Sequence, residues 1–351
     1  MAADCCSLSG VPEIASVSSC PRCFKSHPRL MAERMDARQQ RVAAACCPLP
    51  GAAAYENRRP VNIPAAHDGL ELLDMLVLRF PQIDRAEWEA RCDAGRFLSA
   101  AGELRAKSHR VRGGERLVQV FASASEPPVA TDIRLIFEDE SLIVVSKPAP
   151  LPMHPCGRFN RNTLQHILNL AYAPERLRPL HRLDANTTGL VLFARSRQAC
   201  RLLQLQFLAG NVDKYYLVRV AGQPPADHFF STAAIASLPG ALGTHAIDDA
   251  AGRAARTDFE VLHRLADGTS MLQARLGSGR TNQIRVHLWH LGFPVLGDPA
   301  YLAGGAIGDT QTLDPAAAPL QLHAWRLAFQ HPLTGAAMVF EAEWPAAHGL
   351  R

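Results

Sequence analysis

The chain has 351 residues, 48% of them hydrophobic and 20% charged, which is enough apolar material for packed cores and more length than one average core uses; about two domains are expected. Its apolar stretches, such as Leu70 to Leu78 with Asp74 inside it, fall far short of the ~20 residues of a membrane helix, and the N-terminus lacks the pattern of a secretory signal, so the expectation is a soluble, cytoplasmic, monomeric protein with no membrane partner. Net charge is only +4, yet between Glu175 and Arg219 eight basic residues stand against three acidic ones, a local field that attracts phosphodiesters. Because Arg outnumbers Lys 33 to 4, a GC-rich coding sequence is the competing explanation of that surplus.

Six of the nine cysteines (Cys5, Cys6, Cys20, Cys23, Cys46, Cys47) fall in the first fifty residues. Without a signal peptide a disulfide framework is not expected. Cys20-Pro-Arg-Cys23 has the spacing of a zinc half-site, but adjacent Cys46-Cys47 makes a poor second half, and no metal is assigned. Residues 1 to about 60 show no sustained period and read as a disordered extension, with Met31 or Met35 as alternative starts. A small module follows over 61–128. Leu70 to Leu78 has near-helical spacing before Pro81, and a second helix over Ile83 to Cys92 opens with Asp84 and Glu87 in a capping-box arrangement. Glycines then punctuate short strands, including Arg116 to Phe121. Glu126-Pro127-Pro128 reads as the linker out of the module.

From residue 129 to 351 the texture changes. Ile133–Phe137 and Leu142–Val145 read as paired strands about a turn, Thr163–Leu170 as a helix, and Gly189–Ala194 as a continuous apolar strand. Arg197–Leu208 is a helix capped by Ser196. Strands are expected at Tyr215–Val220, Phe259–Leu265, Met271–Leu276, Leu322–Phe329 and Met338–Glu343, and a helix over Thr281–Leu291 stopped by Gly292. Ala303–Pro319 is Gly/Ala-rich and reads as a mobile loop. Strands outnumber helices without regular alternation, which points to an α+β fold with a mixed, mainly antiparallel sheet.

His181-Arg182-Leu183-Asp184-Ala185-Asn186-Thr187-Thr188-Gly189 leads directly into the apolar strand. A lone carboxylate just before a buried strand takes its reactivity from whichever cation stands nearby. On its own, the blander reading is that Asp184 organises its turn through neighbouring backbone amides.

The segment is not alone. HRLDANTTGLVLFAR closely resembles the central motif of the RluA-type family of RNA pseudouridine synthases. IFEDESLIVVSKP resembles that family's strand pair ending in Lys-Pro, here Lys147-Pro148, and Lys214-Tyr215-Tyr216-Leu217 resembles its Lys-x-Tyr strand. GSGRTNQIRVHLWHLGFPVLGDPAY and LHAWRLAFQHPLTG are similar to its two later stretches. The five appear in family order over roughly residues 132 to 345. Asn282 and Pro150 depart from the family's usual His and Gly. The small module is similar to the alpha-L RNA-binding domain that precedes many such enzymes.

The resemblance implies isomerisation of a uridine within structured RNA, ribosomal or transfer, through one aspartate. The uracil is never released to water, so neither a second acid–base carboxylate, as in glycoside hydrolysis, nor any metal or cofactor is required. Asp184 is implied as the nucleophile or electrostatic partner of the sugar, Tyr216 as a base or stacking group against the uracil, and Arg285 as the arginine in planar, two-point pairing with Asp184. Arg182 is implied either to fill the space left by an extruded base or to hold phosphate. Arg195, Arg197 and Lys214 are expected to line the RNA groove, Arg201 with them, while Gln283 and His287 are read as positioning backbone. Two other classes compete: a non-catalytic RNA-binding protein on the same fold, which would need none of Asp184, Tyr216 and Arg285, and a metal-dependent hydrolase, for which His287-Leu-Trp-His290 is a weak ligand set.

Overall fold

In a computed structural model of the chain, the described residues are 28–345 and 348, apart from 82, 241 and 242; the Cys20–Cys23 half-site lies outside them. The chain forms two compact units. The larger takes the residues up to Cys46, Val129–Met153 and Ile167–Arg351, and the smaller takes Cys47–Pro128 together with His154–His166.

Part of the expected extension is ordered. Pro28–Ala45 is a helix, α1, rich in Ala and Arg, which are good helix formers. Docking fixes it where periodicity gave no signal: the Gln39 amide donates to Ile133 O and accepts from Leu135 N, both at 2.8 Å. Arg38 lies over the Tyr172 ring at 4.1 Å, and Val42 is buried.

The first strand of the small unit is β1 (Tyr55–Asn62), which starts before the expected boundary at 61, and α2 (Leu72–Arg79), α3 (Arg85–Asp93), β2 (Phe97–Ser99) and β3 (Arg116–Ala124) follow. The strands form an antiparallel sheet in the order β1-β3-β2. Pro60 is tolerated because β1 is an edge, where one row of amides needs no partner. Leu72, Met75, Leu76 and Trp88 from the helices close on Phe97 and Leu117 of the sheet. Asp84 is the residue before α3 as expected, but its side chain makes no capping bond; Glu87 pairs with Arg91 instead. Glu126 is no mere linker. Its carboxylate accepts from the amides of Asn160, Arg161 and Asn162 at 2.8 to 2.9 Å and from the Tyr55 hydroxyl. Burial works against its charge, but these bonds outweigh it and hold the pKa below the ordinary carboxylate value. The returning segment 154–166 is thus stitched to the end of the module.

The large unit is built on one sheet. Its strands are β4 (Arg134–Glu138), β5 (Leu142–Lys147), β6 (Arg178–Pro179), β7 (Thr188–Ala194), β8 (Asp213–Ala221), β9 (His228–Ser231), β10 (Thr257–Arg264), β11 (Thr269–Leu276), β12 (Leu322–Gln330) and β13 (Ala337–Glu341). Its helices after α1 are α4 (Leu164–Ala171), which starts in the returning segment, α5 (Arg197–Leu208) and α6 (Gln283–His290). The order is β4-β5-β7-β12-β8-β11-β10-β9, with β13 on β12 and β6 on β7. Among the described residues β7–β12 is the parallel pair and the remaining pairs are antiparallel, the mixed sheet expected.

Ser196 caps α5 by accepting from Ala199 N at 3.1 Å, and Ala199, Cys200 and Leu203 pack on Leu142, Val144, Leu190 and Leu192. Gly189 sets how β7 meets β12: its φ is +113°, and a Cβ there would stand 2.2 Å from Ala324 O, so a side chain is excluded twice over. In β8 the buried residues Tyr216, Val218 and Val220 alternate with more open ones, as a strand with one buried face must. The stretch 303–319 carries a single short 3-10 turn among the described residues. No helix among them is long and apolar enough to cross a membrane.

Candidate active site

Asp184 lies in the turn that enters β7, and this turn is held from several directions. Thr187 N donates to Asp184 O at 3.1 Å and Leu151 N to Ala185 O at 2.9 Å. The Asn186 side chain donates to Gln311 O and accepts from Leu313 N. Lys147, at the end of β5, is fully buried and spends its three N–H groups on the carbonyls of Pro148, Leu151 and Ala185, at 2.9 to 3.0 Å. Burial lowers its pKa to about 7, with the charge of Asp184 working against that fall, and the three carbonyls receive the three hydrogens of its ammonium form. The Lys-Pro motif is a strut for the Asp184 turn.

The carboxylate itself faces a cleft of about 620 Å³ whose lining includes Arg182, Asp184, Lys214, Tyr216, Arg280 and Arg285. Asp184 keeps 21% of its side chain exposed and accepts one bond, at 3.2 Å, from Arg285 Nη1. Its partner is the cation from α6 and not the amides of its own turn, which removes the bland reading of this residue.

Arg285 is 2% exposed, and its pairing differs from expectation. The planar, two-point contact is made with Asp298: Nε to Oδ2 at 2.7 Å and Nη2 to Oδ1 at 2.8 Å. Asp184 receives the remaining Nη1, shared with Asn282 Oδ1 at 3.1 Å. Asp298 takes the Nε/Nη2 edge because it is already aimed there by the amides of Ala300 and Tyr301 at 2.9 and 3.0 Å, which leaves Nη1 to reach Asp184. Burial works against the charge on Arg285, but the Asp298 bonds and the charges of Asp298 and Asp184 more than compensate, and its pKa ends above the ordinary arginine value. The Tyr301 ring lies 5.1 Å from the guanidinium carbon, and its hydroxyl accepts from Asn282 Nδ2 at 3.2 Å. Asn282 is the residue just before α6 and stands in the left-handed region, φ 57°, a conformation Asn tolerates better than most residues. In the sequence only the turn-like run Gly297-Asp298-Pro299 marks Asp298, and nothing in it points to a partner for Arg285.

Tyr216 comes from β8, 6% exposed, and lines the same cleft. Burial, reinforced by the charge of Asp184, pushes its phenol far above the usual value, so it stands as a neutral ring and not as a phenolate base. His181, also in the cleft lining, accepts from Leu192 N at 3.1 Å; burial lowers its pKa to about 3, leaving it neutral. Gln283 and His287 hold backbone as expected, Gln283 through Arg256 O and Arg280 N, His287 through Ala233 O and the Thr257 hydroxyl.

The basic residues sort differently from the sequence expectation. Arg182, exposed, and Lys214 line the cleft. Arg195 and Arg197 do not. The Arg195 guanidinium is occupied by Glu175 and Glu138, at 2.8 and 3.2 Å, and Arg197 sits exposed at the start of α5. Three further arginines reach the cleft, Arg256 just before β10, Arg275 on β11 and Arg280 in the loop before α6, brought together by the fold from separate stretches of sequence.

The chain matches the family model of RNA pseudouridylate synthase over residues 141–290. It is 32% identical over 314 residues to ribosomal large subunit pseudouridine synthase D of Nitrosomonas europaea, covering 84% of this chain and 87% of that protein. It is 33% identical over 233 residues to the human pseudouridylate synthase RPUSD2, covering 66% of this chain; it spans only 42% of that longer relative. Among solved structures it resembles human RNA pseudouridylate synthase domain containing 1, with a TM-score of 0.50 and 25% identity over 63% of this chain and 90% of that one. With the motif order, the mixed sheet and the Asp184–Arg285 pair already in place, these matches settle its kinship: the chain belongs to the RNA pseudouridylate synthase family.

Proposed function

We propose that this protein isomerises uridines in folded RNA to pseudouridine, with Asp184 as the reacting carboxylate. The single observation that carries the reading is the Asp184–Arg285 contact at 3.2 Å inside an open cleft: a carboxylate oriented by a buried cation, yet exposed enough to meet a sugar. The reaction breaks the N1–C1′ bond, turns the uracil, forms a C5–C1′ bond, and moves one proton from C5 while N1 gains one. Nothing is oxidised and no water is consumed. Asp184 supplies the electron pair or negative charge that carries the intermediate, Arg285 aims that carboxylate through a charge-assisted bond, and Tyr216 gives the turning base an apolar ring face in a partly dry wall. A base stacked in a helix cannot present its glycosidic bond, so the uridine must leave its stack; Arg182 at the exposed lining is placed to meet either the vacated stack or a phosphate. Ribosomal RNA is the first substrate to test, with transfer RNA second.

The test is carbodiimide-stop mapping of pseudouridines in total RNA from cells with and without the gene, repeated in vitro with the purified protein. At least one site should vanish with the gene and return with the wild type but not with Asp184→Asn. An RNA that binds without any uridine being converted would instead make the chain a non-catalytic RNA-binding protein.

A further inference from the structure

On the sheet face opposite Tyr216, strand register sets two rows of side chains side by side. Tyr215, Arg275, Asp258 and Phe230 face one another across β8, β11, β10 and β9, and Leu217, Gln273, Glu260 and His228 form the next row. Being two residues apart on every strand, the rows share a face. All of them but Leu217 line a groove of about 350 Å³. Two of its residues, Asp258 and Arg275, also line the cleft that holds Asp184, so groove and cleft meet over one rim at the ends of these strands.

The rings in this groove are dressed with guanidinium groups. Arg275 and Arg326 stand 5.8 and 5.3 Å from the Tyr215 ring centre, and Arg256 stands 5.0 Å from that of Phe230, whose side chain is 58% exposed. Phe230 thus presents an open ring face at the edge of the sheet, in the same row as the arginine-covered Tyr215. Rings and guanidinium planes are the surfaces on which unpaired bases stack, and the carboxylates of Asp258 and Glu260 with the Gln273 amide offer acceptors and a donor for base edges. The arginines are paired with acids, Arg256 with Asp258 at 2.6 Å and Arg275 with Asp213 at 2.7 Å, so the groove is built for a base more than for a run of phosphates.

We propose that this groove holds an unpaired nucleotide of the same RNA strand, flanking the uridine that enters the cleft. The inference rests on the RNA-isomerase reading for its substrate and on the shared rim for its occupant.

The experiment uses the full-length protein and a folded RNA that the wild type modifies, with 2-aminopurine placed singly at each unpaired position flanking the target. Binding should quench one of these probes. Tyr215→Ala and Phe230→Ala should abolish that quench and raise KM about 5- to 100-fold, the range for loss of one stacked base, with single-turnover conversion at saturating RNA unchanged. Tyr215→Phe, which keeps the ring, should behave as wild type. Circular dichroism, with conversion at saturating RNA, shows that the variants fold. Unquenched probes with wild-type KM in both alanine variants would overturn the proposal. So would a loss of self-association in Phe230→Ala at unaltered RNA affinity, which would assign the face to a second copy of the chain. If the wild type converts no RNA, the isomerase reading fails on its own, and quenching by a bound but unconverted RNA still decides the groove.

Discussion

Replacing Asp298 by Asn separates the architecture of this site from its chemistry. Each Asp298 oxygen is committed: Oδ2 to Arg285 Nε at 2.7 Å, and Oδ1 to Arg285 Nη2 and the amides of Ala300 and Tyr301 at 2.8 to 3.0 Å. An amide in the same place must turn an N–H toward one of these donors, whichever way it flips. One charge-assisted bond is lost, worth about 1.5–3 kcal/mol, and a side chain with 2% exposure keeps its charge with only the single Asp184 contact. Removing one partner of a buried pair costs about 3–5 kcal/mol, a large share of the roughly 5–15 kcal/mol that holds a protein folded. At about 2–4 °C per kcal/mol for a unit of this size, Asp298→Asn should melt about 6–20 °C below wild type, and turnover should fall because Arg285 no longer aims Asp184. Asp184→Asn is the internal contrast. It loses one 3.2 Å bond at a 21%-exposed side chain, so stability should change by no more than about 1 kcal/mol while conversion falls by about 10³-fold or more. Thermal melts and urea titrations, run beside single-turnover pseudouridine formation, measure both. A wild-type melting point and turnover in Asp298→Asn, or equal destabilisation by the two variants, would refute the division of labour.

Tyr216→Phe should keep turnover within about tenfold of wild type, a barrier change of about 1.4 kcal/mol, whereas Tyr216→Ala should not; a stalled Phe variant would make the hydroxyl the essential group. Burial holds His181 at a pKa of about 3 and His323 and His348 at about 4, below the ordinary value of about 6.5. The unfolded chain therefore takes up protons first, so stability is complete above about pH 6.5 and drains toward pH 4, by on the order of 2 kcal/mol per histidine at pH 5. A urea midpoint unchanged between pH 7.5 and 5 would contradict this. RNA affinity should fall with salt, and neutralising Arg182, Lys214 and Arg280 together should flatten the log–log slope by about 2. The Arg195, Arg197 and Arg201 triple variant should leave that slope within about 0.5 of wild type, and the reverse ranking would place the RNA elsewhere.

What the sequence made legible follows from how local each signal is. Ser196 and the apolar positions of Arg197–Leu208 define α5 to the residue, and the unbroken run Leu190–Ala194 defines a strand buried on both faces. Asp184, Tyr216 and Arg285 were found through motifs, and they do converge on one cleft. Helix α1 escaped because the contacts that fix it, from Arg38 and Gln39, reach residues about a hundred positions away. The four-residue β9 is too short to show a period. Counting charge along the chain gathered Arg195 and Arg197, which are neighbours only in sequence, and missed Arg256, Arg275 and Arg280, which the fold gathers from a strand and two flanking loop positions. Asp298 escaped for a related reason: a motif shows that a residue belongs to a pattern, but not which edge of a guanidinium it will claim.

The return of residues 154–166 to the small unit bears on how this protein can be dissected. A cut after Pro128 removes Glu126 and Tyr55 but leaves behind the Asn160, Arg161 and Asn162 amides that they anchor, so such a truncation does not excise a module; it strands a loop in the remaining chain. The chain passes between the units at Cys47, Val129, His154 and Ile167, as thread passes through a seam. Transplanting the small unit therefore requires both pieces to be exchanged together, with the ends at Met153 and Ile167 rejoined. A fragment designed from linear boundaries alone would report the damage of an unpaired loop as though it were the loss of RNA binding.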